Sequence, residues 1–114
     1  MGFKEMSIKN KIKEVGLIYN RMADERVPND LALKHAAKLS MKNDKPIMLD
    51  YWIKSVKKEI VIGVRTSGEK LLVKNEEEYT SPIAKIYKVE TDYIIETENS
   101  LYLCCASIQS KKIN

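Results

Sequence analysis

Three groups in this chain could do chemistry by residue type: the single histidine His35, the adjacent thiols Cys104 and Cys105, and the carboxylate run Glu76-Glu77-Glu78. A catalytic histidine needs a nucleophile to deprotonate or an acid to partner it, and His35 stands among Lys34 and Lys38 with no companion motif. Adjacent cysteines on a strand point to opposite faces, so Cys104 and Cys105 cannot bridge each other without strain. Without Cys-x-x-Cys spacing they also make no zinc site. The expected arrangement is one thiol in the core and the other on the opposite face, both reduced in the cytoplasm. Three consecutive glutamates diverge in direction and read as a solvated turn. Gly63 and Gly68 lie near a turn, but no helix follows them to complete a phosphate-cradling loop. The sequence therefore reads as a non-enzymatic binding protein with no metal and no cofactor.

Its charge says more than its nucleophiles. Up to Lys58 the chain carries 13 Lys or Arg against 7 Asp or Glu, and from Glu59 onward 7 against 9, so the net +4 is concentrated in the first half. Lys34, Lys38 and Lys42 recur at i, i+4 and i+8, which lines three ammonium groups along one helix face, and Lys45 continues the line. Few acids interleave with them. Such a line neutralises phosphates and releases their counterions. Trp52, if turned outward beside Lys54, would stack on a base or nucleotide; the competing place for it is the core. The expected partner is nucleic acid or a phosphate-bearing nucleotide, held by Lys34, Lys38, Lys42, Lys45 and Trp52. The alternative is a protein partner, bound at an exposed strand edge or an apolar sheet face.

The elements that position these residues follow from apolar spacing. Ile8, Ile12, Val15, Tyr19 and Met22 fall on one helical stripe behind a capping Ser7, and Pro28 ends that helix near Arg26. A second helix starts at Asn29 or Asp30 and runs to about Lys42, with Leu33, Ala36, Ala37, Ser40 and Met41 as a face of mostly small residues. After Pro46 the period changes, and strands are expected at 47–54, 59–65, 70–74, 83–89, 93–97 and 101–108. The connections Thr66-Ser67-Gly68, Glu90-Thr91-Asp92 and Glu98-Asn99-Ser100 are turn chemistry too short for anything but antiparallel neighbours.

The fold class read from this is α+β: two N-terminal helices, then an antiparallel meander of about five or six strands, with closure into a small SH3-like barrel as one outcome. One domain covers residues 1–114, divided into a helical half at 1–45, a β half at 46–110 and a basic tail at 111–114. The buried set includes Ile12, Val15, Tyr19, Ile60, Ile62, Leu72, Ile86, Ile95 and Leu103. Several strands are apolar on both faces, so a homo-oligomer is expected unless the sheet closes. No apolar run reaches the roughly 20 residues of a membrane span, and the N-terminus lacks a signal-peptide pattern.

The run Tyr79-Thr80-Ser81-Pro82-Ile83, with Tyr93-Ile94-Ile95-Glu96-Thr97-Glu98-Asn99-Ser100-Leu101-Tyr102, resembles the C-terminal hairpins of short uncharacterised proteins of bacteriophages and large DNA viruses. It covers about a quarter of the chain and transfers no site residue. The resemblance implies a small protein that works by binding, as an inhibitor of a host factor or a protein that sequesters a nucleotide signal.

Overall fold

Asn29 sets where the first described helix begins. Its side chain accepts from the Ala32 amide at 2.7 Å, satisfying a donor that the first turn leaves orphaned, and helix α1 runs from there over Asp30–Asn43. The helix closes at Asp44 in the left-handed region (φ 52°). This is a computed structural model describing residues 26–114, so the helix expected ahead of Arg26, with Ile12, Val15 and Tyr19, lies outside the described residues.

Beyond α1 the order is β1 (Ile47–Met48), α2 (Trp52–Val56), β2 (Val61–Val64), β3 (Lys70–Val73), β4 (Tyr79–Val89), β5 (Asp92–Thr97), β6 (Leu101–Cys105) and β7 (Gln109–Lys112). The seven strands form one sheet in the order β1-β6-β5-β4-β3-β2-β7. The class is α+β, but the sheet is mixed and not a pure meander, because β1 runs parallel to β6 and β2 parallel to β7. It has two free ends, β1 and β7, so the SH3-like barrel is corrected to an open, coiled sheet.

The coil turns on β4. Its first residues, Tyr79 and Pro82, pair with β3, and Ile83 onward pairs with β5. Pro82 has no amide to donate, and it sits where β4 passes from one partner to the other, with a register irregularity on each side. Thr80 fills the break by accepting from the Leu72 amide at 3.1 Å. The β2–β3 half then lies against β5 and β6, where Ile60, Ile62 and Leu72 pack with Ile95, Cys104 and Tyr51.

The opposite face of β5 and β6 holds a second core, in which Ile94, Leu101 and Leu103 pack with Ala32 and Ala36 of α1 and with Trp52. Both faces of these strands are thus covered by the same chain. That removes the ground on which the sequence predicts a homo-oligomer. Ile86, expected in the core, is 37% exposed because β4 extends past the covering half.

The strand expected at 47–54 is a two-residue strand followed by the short helix α2. The strand expected at 101–108 stops at Cys105, and the basic tail at 111–114 contributes Lys111 and Lys112 to β7. On α1 the small-residue face is rotated from expectation: Ala32 and Ala36 are buried, and Leu33, Ala37 and Met41 are exposed.

Candidate anion-binding face on helix α1

Two buried carboxylates on β5 fix α1 at both ends. Asp92 and Glu96 fall on the face that Ile94 shares, since side chains alternate along a strand. Asp92 is fully buried; its Oδ2 accepts from the Asn29 backbone amide and from Asn29 Nδ2, each at 2.7 Å. Arg26 Nη2 lies 2.5 Å from Asp92 Oδ1 in an ion pair, while its guanidinium also donates to Thr91 O at 3.3 Å and to Cys105 Sγ at 3.0 Å. The same guanidinium stacks 4.9 Å from the Trp52 ring centroid.

At the other end of α1, Glu96 accepts from Lys45 Nζ and Asn43 Nδ2, both at 2.9 Å, and from the Tyr87 hydroxyl at 3.3 Å. Lys45 also donates to Thr97 O at 2.7 Å. The Lys45 hydrogen bond, helped by Asn43 and Tyr87 and opposed by burial, holds the Glu96 carboxyl below its ordinary range. A depressed folded value means the stabilisation is complete above the unfolded value, near 4.5, and is lost as pH falls through the folded value. Glu96→Gln is therefore expected to flatten the acid limb of a stability profile recorded by thermal melting. An unchanged limb would show that this clamp does not hold the helix end.

The clamps sort the sequence's candidate residues. Lys45 is committed to Glu96 and does not present a free cation. Trp52 is 5% exposed, and its indole Nε1 donates to Arg26 O at 2.6 Å, so the outward, base-stacking orientation is corrected to a core position. Lys34, Lys38 and Lys42 remain exposed on α1. None of the three forms an ion pair among the described residues. No acid interrupts residues 31–43, where His35 adds a fourth basic side chain.

A groove of about 360 Å³ borders this face, which the sequence did not reveal. Its lining is His35 and Leu39 from α1, Tyr87, Lys88 and Val89 from β4, and Ile94 from β5. A larger concavity, about 620 Å³, lies on the outer side of β2, β3 and β7 over Val61, Leu71, Val73 and Ile113. Its rim is mixed in sign: Glu59 and Glu76 stand beside Arg65, Lys74, Lys111 and Lys112, and Arg65 and Lys74 are paired with Glu69 and Glu78 at 3.0 and 3.3 Å.

The remaining chemistry-bearing groups are dispersed. Glu76, Glu77 and Glu78 are exposed in a turn whose Asn75 Oδ1 accepts from two of their amides. Among the described residues no three His, Cys, Asp or Glu side chains are grouped to hold a metal ion. Burial pushes the Cys104 thiol up to about 12. Cys105 lies on the opposite face; burial raises it, but hydrogen bonds from Ser107 and Arg26 outweigh this and hold it below its ordinary value. No helix among the described residues is long and apolar enough to cross a membrane. Comparison with known protein families, with characterised proteins and with solved structures finds no match.

Proposed function

We propose that this protein acts by binding an anionic partner, nucleic acid or a phosphate-bearing nucleotide, through Lys34, Lys38 and Lys42 of α1. The observation that carries the reading is that these three ammonium groups are exposed and without an ion pair among the described residues. Arg26, Lys45, Arg65 and Lys74 are matched with carboxylates; other exposed lysines, Lys54 and Lys85 among them, are not, and what sets Lys34, Lys38 and Lys42 apart is their common helix with no acid between residues 31 and 43. Successive lysines four residues apart rise about 6 Å along the helix, a ladder suited to successive charges of a polyanion. The clamps on β5 hold the helix that carries the ladder, so a docking partner orders the lysine side chains and not the backbone. The resemblance to short phage and viral proteins implies either sequestration of a nucleotide signal, which fits this reading, or inhibition of a host factor, which fits the one below.

A protein partner is the second reading, favoured by the exposure of Leu33 (37%) and Met41 (78%) on α1. Strand addition is the weaker form of it, since one sheet end is two residues long and the other carries Lys111 and Lys112.

Replacing Lys34, Lys38 and Lys42 together by Ser tests the first reading by fluorescence anisotropy on labelled oligonucleotides across a salt series. The log–log salt slope is expected to fall by about two units on a single strand, three contacts at roughly 0.7 each. The melting temperature should barely move, because exposed lysines contribute little to stability. A triple variant that binds every anionic probe as the parent does would reject the lysine face and leave the protein-partner reading.

A further inference from the structure

We infer that the groove between α1 and β4 is a seat for one unpaired base, so that the preferred anion is single-stranded nucleic acid with its phosphates on the lysine ladder. This rests on the lysine-face reading above and narrows it. The groove is apolar at its floor, where Ile94 is fully buried, and along Leu39 and Val89, with the Tyr87 ring as an aromatic wall. Its volume of about 360 Å³ falls at the small end of ligand sites, about 300–1,000 Å³, and suits a base more than an extended ligand.

Its borders carry lysines on both sides. Lys88 of β4 belongs to the lining itself, as does the His35 imidazole. Lys38 and Lys42 stand within one helical turn of the groove residues His35 and Leu39, where neighbours at i+3 and i+4 lie about 5–6 Å apart. A strand laid along α1 would therefore place its phosphates against Lys38 and Lys42 and turn a base into the groove toward Tyr87. Sequence reading assigned the stacking role to Trp52; the aromatic the fold leaves beside the cations is Tyr87.

Charge complementarity selects this groove over the larger one on β2, β3 and β7. There Glu59 and Glu76 would repel a phosphate, and two of the four cations already hold carboxylates. A duplex cannot use the base seat without extruding a base, because paired bases present no free face to a slot between a helix and a sheet.

The test compares a labelled oligothymidylate, an abasic oligomer of the same length and a duplex of the same length, by anisotropy at fixed low salt. The two single strands carry the same phosphates, so the base seat is read as their ratio. The parent is expected to prefer oligothymidylate by about 5- to 150-fold, the equivalent of the 1–3 kcal/mol of one base–aromatic stack. Tyr87→Leu should abolish the preference and Tyr87→Phe should keep it, since only the hydroxyl contact to Glu96 is removed. The Lys34, Lys38 and Lys42 triple variant should weaken both single strands alike without changing their ratio. Equal binding of the abasic and thymidylate strands by the parent overturns the base seat and leaves the lysine face standing. Failure of all three probes to bind overturns the base seat and the nucleic-acid form of the lysine-face reading.

Discussion

Substituting Asp for Ile62 is expected to unfold the protein. Ile62 is 6% exposed and lies where the two halves of the coiled sheet meet, in contact with the cluster of Ile60, Leu72, Ile95, Cys104 and Tyr51. An uncompensated buried carboxylate costs several kcal/mol, and loss of the isoleucine side chain removes about 1.5–3 kcal/mol more, against a total stability of about 5–15 kcal/mol. Lys74, whose ammonium lies 5.5 Å from the ring centroid of Tyr51 in that cluster, is already paired with Glu78. Ile86→Asp is the matched control, since Ile86 is 37% exposed on β4 and should tolerate the change within about 1 kcal/mol. Thermal melting followed by circular dichroism distinguishes the two: Ile62→Asp should show no cooperative transition and Ile86→Asp a nearly parental one. A well-folded Ile62→Asp variant would mean that the β2–β3 half does not cover β5 and β6.

The contrast between Ile62 and Ile86 shows which parts of the fold could be read in advance. Apolar strand runs gave Ile60, Ile62, Leu72, Ile95 and Leu103 as buried, and Asn29 gave the start of α1, because strand propensity and capping are local signals. Ile86 has the same local signal as Ile62. What exposes it is where the covering half of the sheet ends, and that depends on contacts distant in sequence. Strand β7 carried no signal at all: Gln109, Ser110, Lys111 and Lys112 are all exposed, and backbone pairing with β2 places them in the sheet. Turn chemistry shows antiparallel neighbours only, so the parallel pairs β1–β6 and β2–β7 were hidden.

Helix α2 was misread for a different reason. The run from Ile47 to Ile53 is apolar and aromatic without a period, and its strand propensity is overridden by packing on two sides. Tyr51 enters the core between the sheet halves and Trp52 the core beneath α1. Three of the five candidate site residues, Lys34, Lys38 and Lys42, lie exposed as expected, because a helical stripe of charge needs only the helix to be right. Lys45 and Trp52 were taken into the scaffold by partners far along the chain. A signal for that existed: Asp92, Ile94 and Glu96 share one strand face, and two carboxylates flanking a buried isoleucine call for cations from whatever covers them.

That requirement makes Asp92 the most sensitive polar position in the described structure, and Asp92→Ala is expected to destabilise the protein by roughly 2–4 kcal/mol. The substitution leaves the Asn29 amide without its acceptor, and takes one acceptor each from Asn29 Nδ2 and from the Arg26 guanidinium, which keeps Thr91 O and Cys105 Sγ. Arg26 is 36% exposed at its side chain and can regain water, which keeps the loss below that of a wholly buried pair. Asn29 Nδ2 retains its bond to Val89 O at 3.0 Å, so the cap is weakened and not removed. A negative charge near the first turn also favours the helix dipole, and that contribution disappears with the carboxylate. Asp92→Asn should recover little, because one of its two positions becomes an NH₂ group facing donors. The Arg26→Ala, Asp92→Ala double variant should be less destabilised than the two single losses added, since removing Arg26 also removes the stranded cation. Chemical denaturation of the four proteins measures this. Strict additivity would show that Arg26 and Asp92 do not act as a pair; parental stability of Asp92→Ala would show that α1, and with it the orientation of Lys34, Lys38 and Lys42, is held by something other than β5.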